Sequence, residues 1–391
     1  MNTNSKFTFL LRLIGAGLFF LLLWIPIVQM ICPFLPEMNS TENRKLAEKP
    51  KIKLSFKVMK NYNRYINDHY GLRNIIVRVN GMIHVNLLHT SPTRDVVLGK
   101  EGWLYYDRTN EGISLKDFYG DAPLSEQELG MIVEKIIRIN RFCEGRGILF
   151  KIVVAPNKHT IYPEFLPLDI KNRQGVSTCL DQLRNVLIRN KLESVLIDLR
   201  PTLISNKGIK PYPLYYLTDT HWNQMGAFIA YTEIMKNLLP RFPHIKILNI
   251  KKYSVLQKEN RGIGDLSAYI SMSGLLKDTE IVLEPQFPYL AKKIHPRIEL
   301  EGTYDIERYH IENCNYPKLL LFQDSFACSL LPYLSESFSD SLYVWYTPSD
   351  VNLSVIEQER PHVVIFELAE RHLHYLSKPV LTTFKKTQRK S

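Results

Sequence analysis

The stretch Leu319-Leu320-Leu321-Phe322-Gln323-Asp324-Ser325-Phe326 decides the fold class, because a continuous apolar run ends in a short polar turn. Mostly apolar segments of similar length occur at residues 150–155, 195–199, 342–345 and 363–366. Segments without polar alternation are typical of strands buried on both faces, as in a parallel sheet that is covered by helices. The sequence therefore predicts an α/β domain of three layers, with a parallel sheet between two layers of helices.

Helical patterns lie between the predicted strands. Ser125 followed by Glu128 is a capping-box signature ahead of apolar residues at helical spacing. Residues 176–187 and 224–239 are two further predicted helices. This alternation of strands and helices supports the α/β assignment.

The chain divides into an anchor, a connecting segment and a main domain. The main domain is placed at residues 95–391, since residues 96–106 are typical of a strand, a Gly turn and a second strand. Residues 37–94 before it are interpreted as a polar stalk and an amphipathic helical segment. Residues 240–315 interrupt the alternation and are richer in Lys, Gly and Pro, which indicates an insertion beside the functional face.

The N-terminal segment predicts a transmembrane helix. Residues 13–36 contain no charged residue over 24 positions, and at ~1.5 Å per residue such a helix crosses a ~30 Å hydrocarbon core. A cleaved signal peptide is the alternative, but its apolar region is usually about 7–15 residues long and ends in a small-residue cleavage site that we do not find. Residues 1–36 are therefore expected to form a cytoplasmic stub and a membrane anchor.

The charges around this segment indicate its orientation. Lys6 and Arg12 precede it, and this modest basic excess favours a cytoplasmic N terminus. We therefore expect a single-pass protein of the cell inner membrane whose main domain faces the periplasm. ATP and coenzyme A are not available in that compartment.

Overall charge and cysteine content exclude several functions. The formal net charge of +11 suggests a nucleic-acid partner, because a basic surface attracts phosphates. The Lys and Arg residues are scattered, however, and the one dense run, at residues 385–390, accompanies no nucleic-acid-binding motif. We therefore expect no nucleic acid, and an anionic membrane surface or polysaccharide remains as the alternative to a solvated face. The five cysteines form no CxxC pair, which predicts no metal site and leaves any disulfide unassigned.

Two motifs carry candidate catalytic residues. Ser325 lies at a sharp turn after a predicted strand, where a hydroxyl can project above the sheet beside backbone N–H groups. Asp219 and His221 lie two residues apart on one loop, and such residues project to the same side of an extended segment. A nucleophile needs a base within hydrogen-bond reach and a carboxylate that orients the base. We therefore predict a catalytic triad of Ser325, His221 and Asp219.

Each motif also has an ordinary explanation. Asp-Ser-Phe is a common helix N-cap pattern, and Asp-x-His arises by chance in a chain with 11 histidines. The triad hypothesis depends on both motifs following predicted parallel strands, because functional loops lie at the carboxyl ends of such strands.

Five motifs give the chain a family resemblance. In sequence order they are Gly99-Lys100-Glu101-Gly102-Trp103-Leu104-Tyr105, Ala155-Pro156-Asn157-Lys158-His159-Thr160-Ile161-Tyr162-Pro163, Asp219-Thr220-His221-Trp222, Gly264-Asp265-Leu266 and Asp324-Ser325-Phe326. With these motifs the chain resembles the membrane-anchored members of the alginate O-acetyltransferase family. The resemblance implies an SGNH-hydrolase-like fold. It also implies a circularly permuted motif order, because the serine comes first in ordinary SGNH hydrolases.

The resemblance also implies residue roles. Ser325 is the nucleophile, His221 the general base and acid, and Asp219 the residue that orients His221. Gln323 departs from the family, many of whose members have Gly at this position, and the SGNH asparagine that lines the oxyanion hole has no clear match. Besides the Ser325 backbone N–H, Arg371 and Asn157 are therefore candidate oxyanion donors.

Other residues near the motifs have weaker signals. Tyr212, Tyr215, Tyr216 and Trp222 are predicted to form a sugar-binding rim, with core packing as the alternative. His372 and His374 lack neighbouring carboxylates at ligand spacing, so we interpret them as part of a surface helix and not as a metal site.

Together these expectations describe an O-acetyltransferase that needs no cofactor. It would transfer acetyl groups to hydroxyls of an extracytoplasmic polysaccharide, alginate or a similar polymer, through an acyl-serine intermediate. The resemblance implies a multi-spanning membrane acyltransferase as the partner that supplies the acetyl groups. The alternatives are an acetyl esterase with the same triad, or a non-catalytic carbohydrate-binding or scaffold subunit of a polysaccharide export complex.

Overall fold

The computed structural model describes residues 3–35, 46–50, 56–107, 114–208, 211–260, 264–296, 305–345 and 351–378. Within these ranges the strands are β1 (Val96–Leu98), β2 (Leu104–Tyr106), β3 (Leu149–Ala155), β4 (Leu196–Asp198), β5 (Tyr253–Asn260), β6 (Asp278–Pro285), β7 (Lys292–Ile294), β8 (Ile306–His310), β9 (Lys318–Gln323), β10 (Asp340–Trp345) and β11 (Val363–Ala369). The α-helices are α1 (Thr3–Ile31), α2 (Phe56–His69), α3 (Arg73–Met82), α4 (Ser114–Tyr119), α5 (Glu126–Glu144), α6 (Lys158–Ile161), α7 (Leu168–Lys171), α8 (Cys179–Arg189), α9 (Arg200–Asn206), α10 (Gln224–Leu238), α11 (Asp265–Tyr269), α12 (Leu331–Ser335) and α13 (Leu353–Glu359).

A seven-stranded sheet in the order β4-β3-β11-β9-β10-β8-β7 forms the centre of the main domain. The five strands from β4 to β10 pair in parallel, which confirms the predicted parallel sheet. Strands β8 and β7 extend it in the antiparallel sense, so the complete sheet is mixed. Both lie within residues 240–315, and this part of the predicted insertion therefore belongs to the main sheet. Strands β5 and β6 form a separate antiparallel pair.

Both faces of the sheet are buried, as the continuous apolar segments predict. In β9, Leu319 and Leu321 pack into one core with α10, whereas Leu320 and Phe322 pack into a second core with α5 and α8. Each fully buried side chain of this size contributes roughly 1.5–3 kcal/mol. The central strands are therefore held by apolar packing on both faces, in the three layers predicted.

Side-chain caps fix the first turns of α5 and α10. The capping box predicted for Ser125 and Glu128 is present at the start of α5. Asn223 caps α10, since its Oδ1 accepts from the backbone N–H groups of Met225 and Gly226 at 3.0 and 3.1 Å. This second cap fixes the end of the loop that carries His221.

The N-terminal helix begins and ends earlier than the apolar pattern suggests. Its segment Phe7–Ile31 is long and apolar enough to cross a membrane, judged by length and composition. The helix ends at Ile31 and not near residue 36, because Oε1 of Gln29 accepts from the N–H groups of Phe34 and Leu35 as the chain turns. Much of the predicted stalk, and the basic run at residues 385–390, lie outside the described residues.

Candidate active site

Three adjacent parallel strands end at one edge of the sheet and bring the candidate residues together. Strand β9 leads to Ser325, β3 leads to Asn157, and β11 leads to Glu370 and Arg371. Since β11 lies between β3 and β9, these three chain segments are neighbours. The carboxyl ends of parallel strands are where α/β domains place their functional loops.

The buried carboxyl group of Asp324 holds the turn that carries Ser325. Asp324 accepts hydrogen bonds from the N–H groups of Phe326 and Ala369 at 2.9 and 2.7 Å. Burial raises the pKa of Asp324, but His372, whose Nδ1 lies 3.4 Å from the carboxylate, and Arg371 outweigh this and lower it to about 2. Asp324 is therefore ionised at neutral pH. Its carboxylate connects the turn after β9 to the end of β11.

Asp219, His221 and Ser325 form one hydrogen-bonded chain. His221 Nδ1 lies 2.6 Å from Asp219 Oδ1, and His221 Nε2 lies 2.7 Å from Ser325 Oγ. A carboxylate at Nδ1 favours the tautomer with its proton there, which leaves Nε2 to accept the proton of the serine hydroxyl. Burial raises the pKa of Asp219, but hydrogen bonds from His221 and from the N–H of Asp265 hold it well below its ordinary value.

Asp265 supports the loop and was given no role from the sequence. Its carboxylate accepts from Thr220 N at 2.8 Å and from Thr220 Oγ1 at 2.6 Å. Burial and the charge of Asp219 raise the pKa of Asp265. The sequence showed Asp265 only as part of a motif, and no spacing rule links it to a loop about 45 residues earlier.

Asp219, His221 and Asp265 also place candidate ligand atoms within 4.8 Å of one another. Each oxygen of the two carboxylates already accepts a hydrogen bond from the protein, from His221, Thr220 or the backbone N–H of Asp265. His221 Nδ1 could bind a cation only by giving up its hydrogen bond to Asp219. The side chains of Asp219, His221 and Asp265 therefore form a hydrogen-bond network that orients His221.

Asn157 and Arg371, the two candidate oxyanion donors, line one small cavity together with Tyr106, Lys158, His159 and Thr220. Asn157 is 4% exposed, and its Nδ2 has no hydrogen-bond partner among the described residues. A buried donor without a partner is costly, so its persistence suggests that it serves a ligand. Arg371 packs over the rings of Tyr106 and Phe326 at 5.5 and 5.3 Å, beside the Ser325 turn.

Lys158 lies between the turn after β3 and the segment that precedes Asp219, and it was given no role from the sequence. Its Nζ is buried and donates to the carbonyl oxygens of Tyr216 and Leu217 at 3.0 and 2.9 Å. Burial lowers the pKa of Lys158 to about 8, and the charges of Asp219 and Asp265 oppose the change. The buried cation therefore connects the turn after β3 to the strand-like segment before Asp219.

The structure corrects the prediction of a sugar-binding rim for two of its four aromatic residues. Tyr215 and Trp222 are fully buried, with Tyr215 Oη donating to Pro156 O and Trp222 Nε1 donating to Phe326 O. They cannot stack on a sugar and instead brace the turns that hold Asn157 and Ser325. Tyr212 and Tyr216 are partly exposed, and their assignment to the rim stays a prediction.

His372 and His374 are less exposed than expected. Both are partly buried in the 3-10 segment Glu370–Ser377, which packs against α5 and α8. They lie on a short helix, as predicted, but a half-buried one, on which His372 Nδ1 is 3.4 Å from the carboxylate of the buried Asp324.

The family model of the SGNH hydrolase-like domain of acetyltransferase AlgX matches residues 96–286. Through this segment, just under half of its length, the chain is similar to the AlgX family. The matched residues include Asp219, His221 and Asp265 and end before Ser325. The family agrees with the SGNH-hydrolase-like fold that the sequence predicts.

Similar proteins include a probable alginate O-acetylase AlgJ of Pseudomonas fluorescens, 23% identical over 212 residues. That match covers 53% of this chain and 48% of the relative, so the chain matches about half of the relative's length. Among solved structures, Bacillus cereus PatB1 has a TM-score of 0.52 and 19% identity, covering 72% of this chain and 99% of PatB1. The O-acetyltransferase domain of Pseudomonas putida AlgJ has a TM-score of 0.44 and 18% identity, covering 74% and 95%. At this identity, the likeness to PatB1 shows a shared fold alone.

Proposed function

We propose that the protein is an O-acetyltransferase that acts on hydroxyl groups of an extracytoplasmic polysaccharide through Ser325. The observation that carries the proposal is the continuous hydrogen-bonded chain from Asp219 through His221 to Ser325 Oγ. The position of Ser325 at the carboxyl end of a parallel strand, and the similarity of residues 96–286 to the AlgX family, support the same conclusion.

The reaction has two balanced halves. Ser325 Oγ attacks the acetyl carbonyl carbon while its proton moves to His221 Nε2, and the tetrahedral intermediate expels the donor's leaving group, which takes that proton. In the second half a sugar hydroxyl loses its proton to His221 Nε2 as it attacks the acetyl-serine. Collapse of this second intermediate returns the proton to Ser325 Oγ and releases the acetylated sugar.

Negative charge develops on the carbonyl oxygen in both intermediates. Asn157 Nδ2, a buried donor without a partner among the described residues, is proposed to donate to that oxygen together with the N–H of Ser325. Arg371, close to the same turn, supplies positive charge at this position. Asp219 remains ionised and stabilises the imidazolium that His221 becomes between the steps.

The segment Phe7–Ile31 is proposed to anchor the domain to the inner membrane, with the main domain in the periplasm. In that compartment the acetyl group must arrive across the membrane or on a carrier. A multi-spanning membrane acyltransferase is the partner proposed to deliver it. The acceptor class follows from the relative named as a probable alginate O-acetylase, and alginate or a similar polymer is the proposed substrate.

The test incubates the full-length protein in detergent with a chromogenic acetyl ester, with and without an acceptor oligosaccharide. Wild type is compared with Ser325→Ala and with Ser329→Ala, a matched control in the same 3-10 turn. The proposal requires ester cleavage that depends on Ser325 but not on Ser329, together with acetylated oligosaccharide by mass spectrometry. Cleavage without labelled sugar would favour an acetyl esterase, and equal activity in all three proteins would leave the binding or scaffold role.

A further inference from the structure

An exposed apolar face runs along the helix that joins the N-terminal helix to the main domain. Helix α3 continues directly into a π-helical turn, Ile83–Leu88. Ile76, Val79, Ile83 and Leu87, between 45% and 72% exposed, follow one another at spacings of three, four and four residues. These spacings place them on one face of the helix, and the four are called the apolar stripe. Contiguous exposed apolar surface of this kind marks a contact with another apolar phase.

The beginning of α3 packs against α1, the proposed membrane anchor. Gly71 lies so close to α1 that a Cβ atom there would collide with the carbonyl group of Pro26 and lie 3.0 Å from Met30 N. Pro26 and Gln29 are buried at this contact, whereas most of the remaining described side chains of α1 are exposed. Because Pro26 lies within the segment Phe7–Ile31, α3 begins level with the last turns of that helix.

The other end of α3 packs against the main domain. A Cβ atom at Gly81 would lie 2.5 Å from the carbonyl oxygen of Ile270, directly after α11. Gly71 and Gly81 are ten residues apart, which corresponds to ~15 Å along a helix. Gly81 follows Ile76 by five residues and therefore lies on the side of the helix opposite the apolar stripe. Helix α11 begins at Asp265, the residue that holds the loop of Asp219 and Thr220.

We propose that the apolar stripe lies in the membrane–water interface, with its four side chains among the lipids of the outer leaflet. The inference rests on the proposed membrane anchor. Lipid is favoured over a protein partner because the stripe begins five residues after Gly71, which already lies at the level of the anchor. Interfacial helices bury such a face ~5–10 Å into the boundary of headgroups and acyl chains. The main domain is thereby held against the membrane, with its catalytic loop connected to the bilayer through α3 and α11.

The experiment measures how deep single side chains of the full-length protein lie in lipid vesicles. Cys32, Cys314 and Cys328 are replaced by Ser, while the buried Cys143 and Cys179 are retained. A fluorescent label is then attached to one new cysteine in each of four variants: Ile83→Cys, Leu87→Cys, Phe19→Cys and Val176→Cys. Phe19 reports on the anchor, and Val176, fully exposed on the main domain, is the matched apolar control. Vesicles contain lipids with a nitroxide quencher either near the headgroup or deep in the acyl chain.

The expected result is quenching of the labels at residues 83 and 87 by the shallow nitroxide, to within about twofold of each other, and none at residue 176. The label at residue 19 should respond to the deep nitroxide. If the label at residue 19 is not quenched, the proposed anchor is wrong. If it is quenched while residues 83 and 87 behave like residue 176, the anchor stands and the lipid contact of the apolar stripe is refuted, which leaves a protein partner or a second copy as its occupant.

Discussion

Ionisation of the buried Glu370 should make the free energy of unfolding of the main domain depend on pH. The substitution Glu370→Gln should remove this dependence. The side chain is 2% exposed, and its Oε2 accepts from Asn157 N at 2.8 Å and from Thr160 Oγ1 at 2.7 Å. Burial, assisted by the charge of Asp117, raises its pKa to about 7, although Arg200 and these hydrogen bonds lower it. The Glu370 carboxyl group therefore holds the turn that carries Asn157, the proposed oxyanion donor, and titrates close to neutral pH.

The sign and size of the effect follow from linkage. A carboxyl group whose pKa is raised on folding binds its proton more tightly in the native state, so its contribution to stability is complete below its unfolded pKa and is lost as the pH rises through its folded pKa. A rise from the ordinary value of 4.5 to about 7 corresponds to about 3 kcal/mol. Glu370→Gln keeps an acceptor oxygen for Asn157 and Thr160 but cannot ionise. We therefore compare the free energies of unfolding of the two proteins at each pH. The difference, variant minus wild type, should increase by about 3 kcal/mol as the pH is raised from 4.5 to 8.

The assay is urea unfolding of wild type and Glu370→Gln at several pH values, followed by fluorescence of the buried Trp103 and Trp222 in the main domain. The difference between the two proteins at each pH cancels the other titrating groups. Glu126→Gln, an exposed position at the start of α5, is the control and should give a difference that hardly changes with pH. A flat difference for Glu370→Gln as well would show that Glu370 titrates like an exposed carboxyl group, and the reasoning from its burial would be refuted.

Two further predictions concern the chemistry of the site. Asn157→Ala should lower kcat for Ser325-dependent ester cleavage by about 10²- to 10³-fold, as expected for loss of an oxyanion donor, with little change in unfolding free energy because Asn157 Nδ2 has no partner among the described residues to lose. A variant that unfolds easily but retains kcat would assign Asn157 a structural role instead. Chelators should leave this activity unchanged, because His221 Nδ1 bonds to Asp219 and His221 Nε2 to Ser325, so that neither ring nitrogen is available to a cation. Activity lost with EDTA and restored by a divalent cation would contradict this.

The parts of the fold that sequence alone predicts are those with strong local patterns. The central strands were predictable because burial on both faces removes polar residues from the whole segment, as in β9 and β11. The antiparallel strands β8 and β7 were not predicted, and the edge strand β7 (Lys292–Ile294) is short, charged and partly exposed. The pairing of β8 with β10 and of β7 with β8 depends on tertiary contacts that no local pattern records.

The candidate site divides in the same way. The position of Ser325 directly after β9 was predictable from the apolar strand before it, and the pairing of Asp219 with His221 from their spacing. Their catalytic roles stay a prediction. Glu370 and Lys158 were not assigned roles, because charged residues are rarely buried and nothing in the sequence marks these two as exceptions. Tyr215 and Trp222 were misassigned since an aromatic residue beside a catalytic loop can equally face the solvent or the core.

The position of β11 has a consequence for how the protein becomes active during its synthesis. This strand separates β3 from β9, yet it is the last strand in the described part of the chain. Ser325 and His221 are 104 residues apart, and contacts over such separations form late because a long loop must close first. A nascent chain that has emerged only as far as Ser325 still lacks Ala369, whose N–H holds the turn of Asp324. Chain growth itself thus delays assembly of the nucleophile until the domain is nearly complete.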